Sequence, residues 1–282
     1  VTAIWGFNFV VIKVGVAEIP PLLLTALRFF FAAVPAVFFV RRPSVNWRWV
    51  AGYGAFIGVL QFGLLFVSIR LGMTAALASV VMQLQVFFTI GFAAILLGER
   101  SKPVQIVGAI IAFAGMGVIA ASRWSGPELV PLLLCLLAAL SWGIANLIVQ
   151  TSGDKNALSM IVWASLAAPL PLFVMSFLFE DHAAIVNALT HPSLLTIGSI
   201  AFLAWPATIL GFGVWSFLLS RYPANLVSPF ALLVPVFGIT SGVLFLGEPF
   251  DGAAIIGTIL VLAGLVMTII GPRMSGSARS LP

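Results

Sequence analysis

The chain has 282 residues, of which 62% are hydrophobic and 7% are charged, and its formal net charge is +5. Its mean hydropathy of +1.20 excludes a soluble globular domain. The long apolar runs instead indicate a membrane protein built from several helices.

Ten apolar runs follow one another along the chain, separated by short connections. The predicted helices are 1–17, 20–40, 47–69, 74–97, 103–121, 128–151, 157–179, 193–219, 224–246 and 251–271. The first run is shorter than the roughly 20 residues that a span needs, so we expect part of that helix to precede Val1. The longest connection, 180–192, holds His182 and His191, and we expect no metal site there because no cluster has ligand spacing.

The first five runs recur as the last five. The matching segments are 4–6 with 141–143, 75–79 with 224–228, 97–99 with 246–248 and 108–115 with 257–264. Because five is an odd number, the two copies cross the membrane in opposite directions, as in many transporters. The sequence thus predicts an all-α membrane protein of two inverted five-helix repeats, 1–123 and 124–272, with a cytoplasmic tail at 273–282.

Basic residues are distributed unevenly between the two ends of the predicted spans. Those on the side of the N-terminus are Arg41, Arg42, Arg48, Arg100, Lys102, Lys155, Arg221, Arg273 and Arg279, and those on the other side are Arg70 and Arg123. Basic loops mark the cytoplasmic side, so we place both termini in the cytoplasm. We assign the basic excess to contact with anionic membrane lipid and expect no nucleic-acid partner.

Polar and aromatic side chains within the spans predict an uncharged, aromatic-lined cavity. Candidate substrate-binding residues are Asn8, Gln61, Met82, Gln83, Gln85, Asn146, Trp163, Trp205 and Ser228. Such groups are costly in lipid and tend to face a wet cavity, although hydrogen bonding between packed helices is an alternative for each of them. Gln83 and Gln85 point to different faces of one helix, which packing alone would not require.

Two basic residues lie inside predicted spans. Arg28 lies about 12 Å into the second span at 1.5 Å per residue. It is either a structural partner of Glu18 or of a helix end, or a candidate contact for a substrate carboxylate. Lys13 lies near the outer end of the first span, and we expect its side chain to reach the surface.

Prolines within the spans, and the lack of acidic residues there, indicate how transport is gated and driven. Prolines assigned to kinks or gating are Pro169, Pro206, Pro229 and Pro235. No Asp or Glu lies mid-span, which favours an uncoupled facilitator over a proton-coupled carrier. The sequence has no phosphate-binding loop and no hydrolase motif, so we expect neither a cofactor nor an enzyme.

Several segments resemble one transporter family. They are 5–15, 20–21, 27–29, 61–62, 72–79, 83–88 and 232–236. Together they resemble EamA-family transporters of the drug/metabolite transporter superfamily, most closely bacterial exporters of cysteine and O-acetylserine and more distantly aromatic amino acid exporters. The resemblance implies ten helices, a cell inner membrane location and export of amino acids or related small molecules.

Residues and resemblance together predict a secondary transporter that exports amino acids or related metabolites by alternating access, with broad specificity. One alternative is an exporter of drugs or organic cations. Another is a membrane scaffold subunit that transports nothing, which would not need polar residues within its spans.

Overall fold

The computed structural model describes residues 1–99, 102–123, 129–153, 156–222 and 227–277. Every regular element in these ranges is helical. The helices are α1 (Thr2–Glu18), α2 (Pro21–Ala36), α3 (Trp47–Arg70), α4 (Ala75–Leu96), α5 (Pro103–Arg123), α6 (Leu129–Ser152), α7 (Ala157–Ala167), α8 (Pro169–Phe179), α9 (His182–Thr190), α10 (194–221), α11 (228–246) and α12 (Gly252–Ser277).

Six of these helices are long and apolar enough to cross a membrane, namely α3, α4, α5, α6, α10 and α12. Helices α7 and α8 meet at a bend of 41° and can together form a seventh span. The bend falls at Pro169, which has no backbone N–H to donate. Large apolar side chains such as Ile110, Leu170 and Leu244 are exposed on the outside of the bundle, as lipid contact requires.

Four departures from α-helical geometry fall at corresponding places in the two halves of the chain. Helix α3 contains a π-helical stretch at Gly54–Phe62, and α10 contains one at Leu203–Leu210. Helix α4 contains a 3₁₀ stretch at Met82–Leu84, and α11 begins with one at Ser228–Leu232. Such stretches inside long helices often mark functional sites.

Prolines account for only some of these interruptions. Pro206 lies in the π stretch of α10 and Pro229 in the 3₁₀ stretch of α11. The equivalent stretches of α3 and α4 contain no proline. Pro235 lies in the regular part of α11, so a proline here does not by itself break the helix. The place in the fold therefore governs the interruption more than the residue type.

Glycines bring α5 and α12 into backbone contact. A Cβ atom added to Gly108 would lie 2.6 Å from the Gly264 carbonyl oxygen, and one added to Gly115 would lie 2.6 Å from the Gly257 carbonyl oxygen. Small residues allow this close approach between membrane helices. Gly117, which also lies on α5, has open space where a Cβ atom would be.

Two carboxylates bind the free N–H groups at the starts of other helices. The Glu248 carboxylate accepts hydrogen bonds from the N–H groups of Ala75 and Ala76 at 2.7 and 2.8 Å. Glu180 likewise accepts from the N–H of Leu22 at 2.7 Å. A negative charge at a helix N-terminus satisfies orphan donors and interacts favourably with the helix dipole.

The connection at 180–192 is not the plain loop that the sequence predicts. It forms the short helix α9, whose first turn is capped by the Asp181 side chain. His182 contacts the Phe177 carbonyl oxygen at 2.6 Å, and His191 contacts the Thr190 hydroxyl at 2.9 Å. Both histidines thus have local structural partners.

We expect Gly115→Ala to lower the melting temperature of the purified protein, because the new methyl group would collide with α12. Overpacking of this kind costs about 1–3 kcal/mol. The matched control is Gly117→Ala, which should leave stability unchanged or raise it by about 0.5–1 kcal/mol, since alanine favours helix. Thermal denaturation in detergent at a fixed scan rate measures both; equal effects would contradict the proposed α5–α12 contact.

Candidate functional site

A cavity of about 360 Å³ lies inside the helical bundle. Its polar lining residues are Asn8, Arg28, Tyr53, Gln61, Gln83, Gln85 and Asn146. The rest of the lining is mostly apolar and aromatic, including Trp5, Phe9, Phe62, Met82, Trp142, Phe212 and Trp215. No Asp, Glu or His is among the lining residues in the part of the chain that the structure describes.

The cavity reaches one end of the bundle. It is lined by Trp5 near the start of α1, Met160 near the start of α7, Val149 near the end of α6 and Trp215 near the end of α10. Chain connectivity places these helix termini at the same end. The opposite end holds the α1–α2 and α3–α4 connections, and none of the lining residues comes from them.

Polar contacts tie the helices together at that opposite end. The Lys13 Nζ donates to the carbonyl oxygens of Ile69 and Met73, both at 3.2 Å. Arg70 donates to the Val16 carbonyl oxygen at 2.6 Å. The lysine side chain therefore binds the α3–α4 connection and does not line the cavity.

Arg28 is the cation of the cavity. Its side chain is 2% exposed. Its Nη2 donates to the Thr208 hydroxyl at 3.0 Å, while Nε and Nη1 have no hydrogen-bond partner. The guanidinium lies over the Phe62 ring, with Cζ 3.8 Å from the ring centroid. Its expected structural partner Glu18 instead accepts from the Ser193 hydroxyl, so that pairing does not form.

Two amide oxygens of the lining also lack partners. They are Oδ1 of Asn8 and Oε1 of Gln61, and both atoms are buried. An acceptor buried without a partner costs about 1–3 kcal/mol, so native proteins keep few of them. With Arg28, they place unpaired donors and unpaired acceptors on residues that line the cavity.

Gln85 and Asn146 form a second polar cluster in the cavity wall. The Asn146 amide donates to Oε1 of Gln85 at 2.6 Å and to the Thr89 hydroxyl at 3.0 Å. The cluster joins α4 to α6. Gln83, two residues before Gln85 and on a different face of α4, donates to the Ala231 carbonyl oxygen at 3.4 Å and so reaches α11.

An aromatic group forms another part of the wall. The indole N–H of Trp5 donates to the Ala207 carbonyl oxygen at 2.9 Å. Its ring lies 5.4 Å from the rings of both Phe212 and Trp215. Phe212 was not expected from the sequence, because an aromatic residue in an apolar span carries no signal of which way it faces.

Two tryptophans predicted to line the cavity lie elsewhere. Trp163 donates to the Val40 carbonyl oxygen at 3.1 Å and packs against Trp47. Trp205 is half exposed and donates to the Phe31 carbonyl oxygen at 3.1 Å. In each case the indole N–H donates to a nearby backbone carbonyl oxygen, so the tryptophan does not have to face a polar cavity to satisfy this donor. The side chain of Ser228 lies outside the described residues.

The profile of the EamA-like transporter family matches residues 1–121 and 129–270. The chain belongs to the EamA-like transporter family. It is a transporter and not an enzyme, and its helices place it in a membrane.

Curated relatives of this EamA-like transporter are similar over nearly their whole length. A probable amino-acid metabolite efflux pump of Salmonella typhimurium is 41% identical over 285 residues, which cover 99% of this chain and 95% of the relative. One of the same description from Escherichia coli is 40% identical, with 97% and 93% covered. An uncharacterized transporter of Bacillus subtilis is 30% identical, with 95% and 93% covered.

A solved crystal structure shares the fold of this EamA-like transporter. It aligns with a TM-score of 0.61 at 22% identity and covers 97% of this chain and 98% of its own. At that identity the likeness concerns the fold alone.

We expect Gln85→Ala and Asn146→Ala to be non-additive, because each removes the same hydrogen bond. The double variant should lose less unfolding free energy than the two single variants together, by about 0.5–3 kcal/mol. Denaturation of the four proteins in detergent measures the coupling. The control is Gln85→Ala combined with Gln105→Ala on α5, where additive losses are expected; additivity in both pairs would contradict the cluster.

Proposed function

We propose that this transporter exports amino acids or related small metabolites, with the 360 Å³ cavity as its substrate site. The observation that carries the proposal is the set of unpaired polar atoms on Asn8, Arg28 and Gln61 in an otherwise apolar protein. The relatives named as amino-acid metabolite efflux pumps support it. A scaffold subunit would have no need of such a cavity, and the charge of Arg28 disfavours organic cations.

The proposed architecture is ten spans in two inverted five-helix repeats, 1–123 and 124–272, followed by the tail 273–282. The ten are α1 to α6, the bent pair α7–α8, and α10 to α12. Packing between helices supports it, because equivalent helices of the two repeats have equivalent neighbours. Helix α1 packs on α11, and its counterpart α6 packs on α4. Helix α10 packs on α1, and its counterpart α3 packs on α6. The paired π and 3₁₀ stretches, the reciprocal glycine contacts of α5 and α12, and the two segments matched by the family profile also support it.

The proposed orientation places both termini in the cytoplasm and the protein in the cell inner membrane. The cavity then reaches the cytoplasmic end, where a substrate for export would enter. Contacts of Lys13, Arg70 and Glu248 hold the outer end together. This arrangement corresponds to the inward-facing state of an alternating-access cycle.

Within the cavity, we assign substrate contact to Asn8, Gln61, Met82, Gln83, Gln85 and Asn146, with Arg28 as the one charged group among the lining residues that the structure describes. The aromatic wall of Trp5, Trp142, Phe212 and Trp215 is added to this set. A mostly apolar wall contacts side chains by shape and size, which favours broad specificity. Pro169, Pro206, Pro229 and Pro235 remain candidates for the bends that gate the cycle.

The proposed transport is uncoupled. No carboxylate or histidine lines the cavity in the described residues, so no group there titrates between pH 5 and 8. Export would then follow the substrate's own gradient, because a carrier without coupling cannot concentrate its substrate.

Counterflow in proteoliposomes tests the function and its energetics. Vesicles preloaded with each of a panel of unlabelled amino acids should take up the labelled compound transiently, with protein-free vesicles as the control. An imposed pH gradient should not raise accumulation above the equilibrium ratio. No uptake of any panel member would overturn the proposed function, whereas protonophore-sensitive accumulation would overturn only the lack of coupling.

We expect Gln83→Ala to reduce this uptake more than it reduces the melting temperature, because its one side-chain hydrogen bond within the described residues, to the Ala231 carbonyl oxygen at 3.4 Å, is long. The matched control is Gln105→Ala, on α5 and away from the cavity, which should retain full uptake. Parallel loss of uptake and stability in Gln83→Ala would assign the glutamine to packing.

A further inference from the structure

The charge of Arg28 is not balanced by any group that the structure describes. Within the described residues its one hydrogen-bond partner is the neutral Thr208 hydroxyl. Burying an ion without a counter-charge costs several kcal/mol. The aromatic face of Phe62 offsets part of this cost, but a cation over a ring at 3.8 Å does not satisfy N–H donors that lie in the guanidinium plane.

We propose that Arg28 binds the α-carboxylate of the transported molecule, that Asn8 and Gln61 accept hydrogen bonds from its α-ammonium group, and that the substrates are therefore zwitterionic α-amino acids. This inference rests on the proposed function and specifies the substrate class of the same cavity. It also orients the substrate, because the charged groups occupy one wall and the amino acid side chain occupies the remainder.

The guanidinium keeps one complete edge without a protein partner. Arginine has five N–H groups, and a carboxylate binds across two adjacent nitrogens. Thr208 uses one of the two N–H groups of Nη2. If it uses the one beside Nη1, the edge formed by Nε and Nη2 is free; otherwise the edge formed by Nη1 and Nη2 is free. Either edge includes a nitrogen that has no partner in the protein.

Thr208 is a positioning residue for this edge. Its hydroxyl donates to the Leu203 carbonyl oxygen at 2.8 Å and accepts from Arg28 at 3.0 Å. Donor and acceptor roles are both used, so the hydroxyl has a fixed orientation. The π stretch of α10 contains both Thr208 and Leu203 and thereby holds the guanidinium in one rotation.

The two amide oxygens supply the complementary half of the site. Oδ1 of Asn8 and Oε1 of Gln61 are acceptors with no donor in the protein. An ammonium group has three donors and no acceptor, so it fits two such oxygens and leaves one N–H for water. Gln61 directly precedes Phe62, whose ring covers the Arg28 guanidinium, and both residues line the same cavity as Arg28.

The rest of the cavity fits an uncharged side chain. Its wall there consists of rings and a flexible thioether, including Trp142, Phe212 and Met82. A second charge on the substrate would meet no partner, because the wall has no other ion among the described residues. Neutral amino acids therefore fit better than acidic or basic ones.

Ligand titrations of the purified transporter test this assignment. Trp5, Trp142 and Trp215 line the cavity, so binding is measured from tryptophan fluorescence. The probes are L-leucine, L-leucinamide, which lacks the carboxylate, and N-acetyl-L-leucine, which lacks the ammonium. The wild type should bind leucine about 10- to 100-fold more tightly than leucinamide, the range expected for hydrogen bonds to a charged group.

Arg28→Gln should bring the ratio of leucinamide to leucine affinity close to one. Arg28→Lys keeps the charge but loses the planar edge, so an intermediate ratio is expected. Thr208→Val should reduce the preference for leucine over leucinamide about 2- to 10-fold, because the guanidinium is no longer held in place.

Asn8→Leu tests the ammonium half of the site. It should reduce the preference for leucine over N-acetyl-L-leucine and leave the preference for leucine over leucinamide unchanged. Arg48→Gln, an exposed cation outside the cavity, is the control and should behave as wild type.

These ratios compare ligands on one protein sample, so a loss of yield or stability in a variant does not alter them. If Arg28→Gln does not fold, Arg28→Lys and Thr208→Val still give the answer. Equal binding of leucine and leucinamide by the wild type, or an unchanged ratio in the Arg28 variants, would overturn the inference and leave amino acid export standing. Failure of every amino acid in the counterflow panel would overturn export and this inference together.

Discussion

In the hydrocarbon of a membrane, every backbone N–H and C=O must find a partner inside the protein, and the rest of this structure depends on that constraint. Its π and 3₁₀ stretches interrupt the regular hydrogen-bond ladder. Carbonyl groups within them accept from side chains, as Ala207 does from Trp5 and Ala231 from Gln83. Trp5 and Gln83 also line the cavity. The cavity therefore forms where the helices are irregular, and its polar lining partly satisfies the backbone that the irregularity exposes.

In the proposed two-repeat architecture, the cation of the cavity belongs to one repeat only. Arg28 on α2 leaves two nitrogens unpaired, whereas Ser165, at the matching place in the second copy, donates to the Ile161 carbonyl oxygen at 2.6 Å and is satisfied within its own helix. A zwitterion has two different ends, so a site for it gains nothing from two-fold symmetry. Under the proposed substrate assignment, the substrate needs one cation and one set of acceptors, and α1, α2 and α3 carry both.

Much of this site could be predicted from the sequence, because glutamine and asparagine side chains in an apolar span are costly in lipid and face the interior of the bundle. Gln83, Gln85 and Asn146 all line the cavity. Trp163 and Trp205 could not be assigned in this way, since one backbone carbonyl satisfies an indole N–H on any face of a helix. The π stretches could not be predicted either, since α3 forms one without proline and no residue type in the sequence signals it. The repeated segments favoured a transporter, and the family resemblance indicated which family of transporters.

Residues that the two proposed repeats align with each other make different contacts at the two ends of the bundle. The repeats align Glu248 with Glu99 and Lys13 with Gln150. At the end away from the cavity, Glu248 is buried on the N-terminus of α4, and Lys13 binds the neighbouring connection. At the cavity end Glu99 is exposed and, among the described residues, accepts a hydrogen bond from the Gln150 amide at 2.6 Å. In an inverted-repeat carrier the halves exchange conformations to face the other side. Under the proposed cycle, a buried carboxylate at one end and an exposed one at the other distinguish the closed end from the open end.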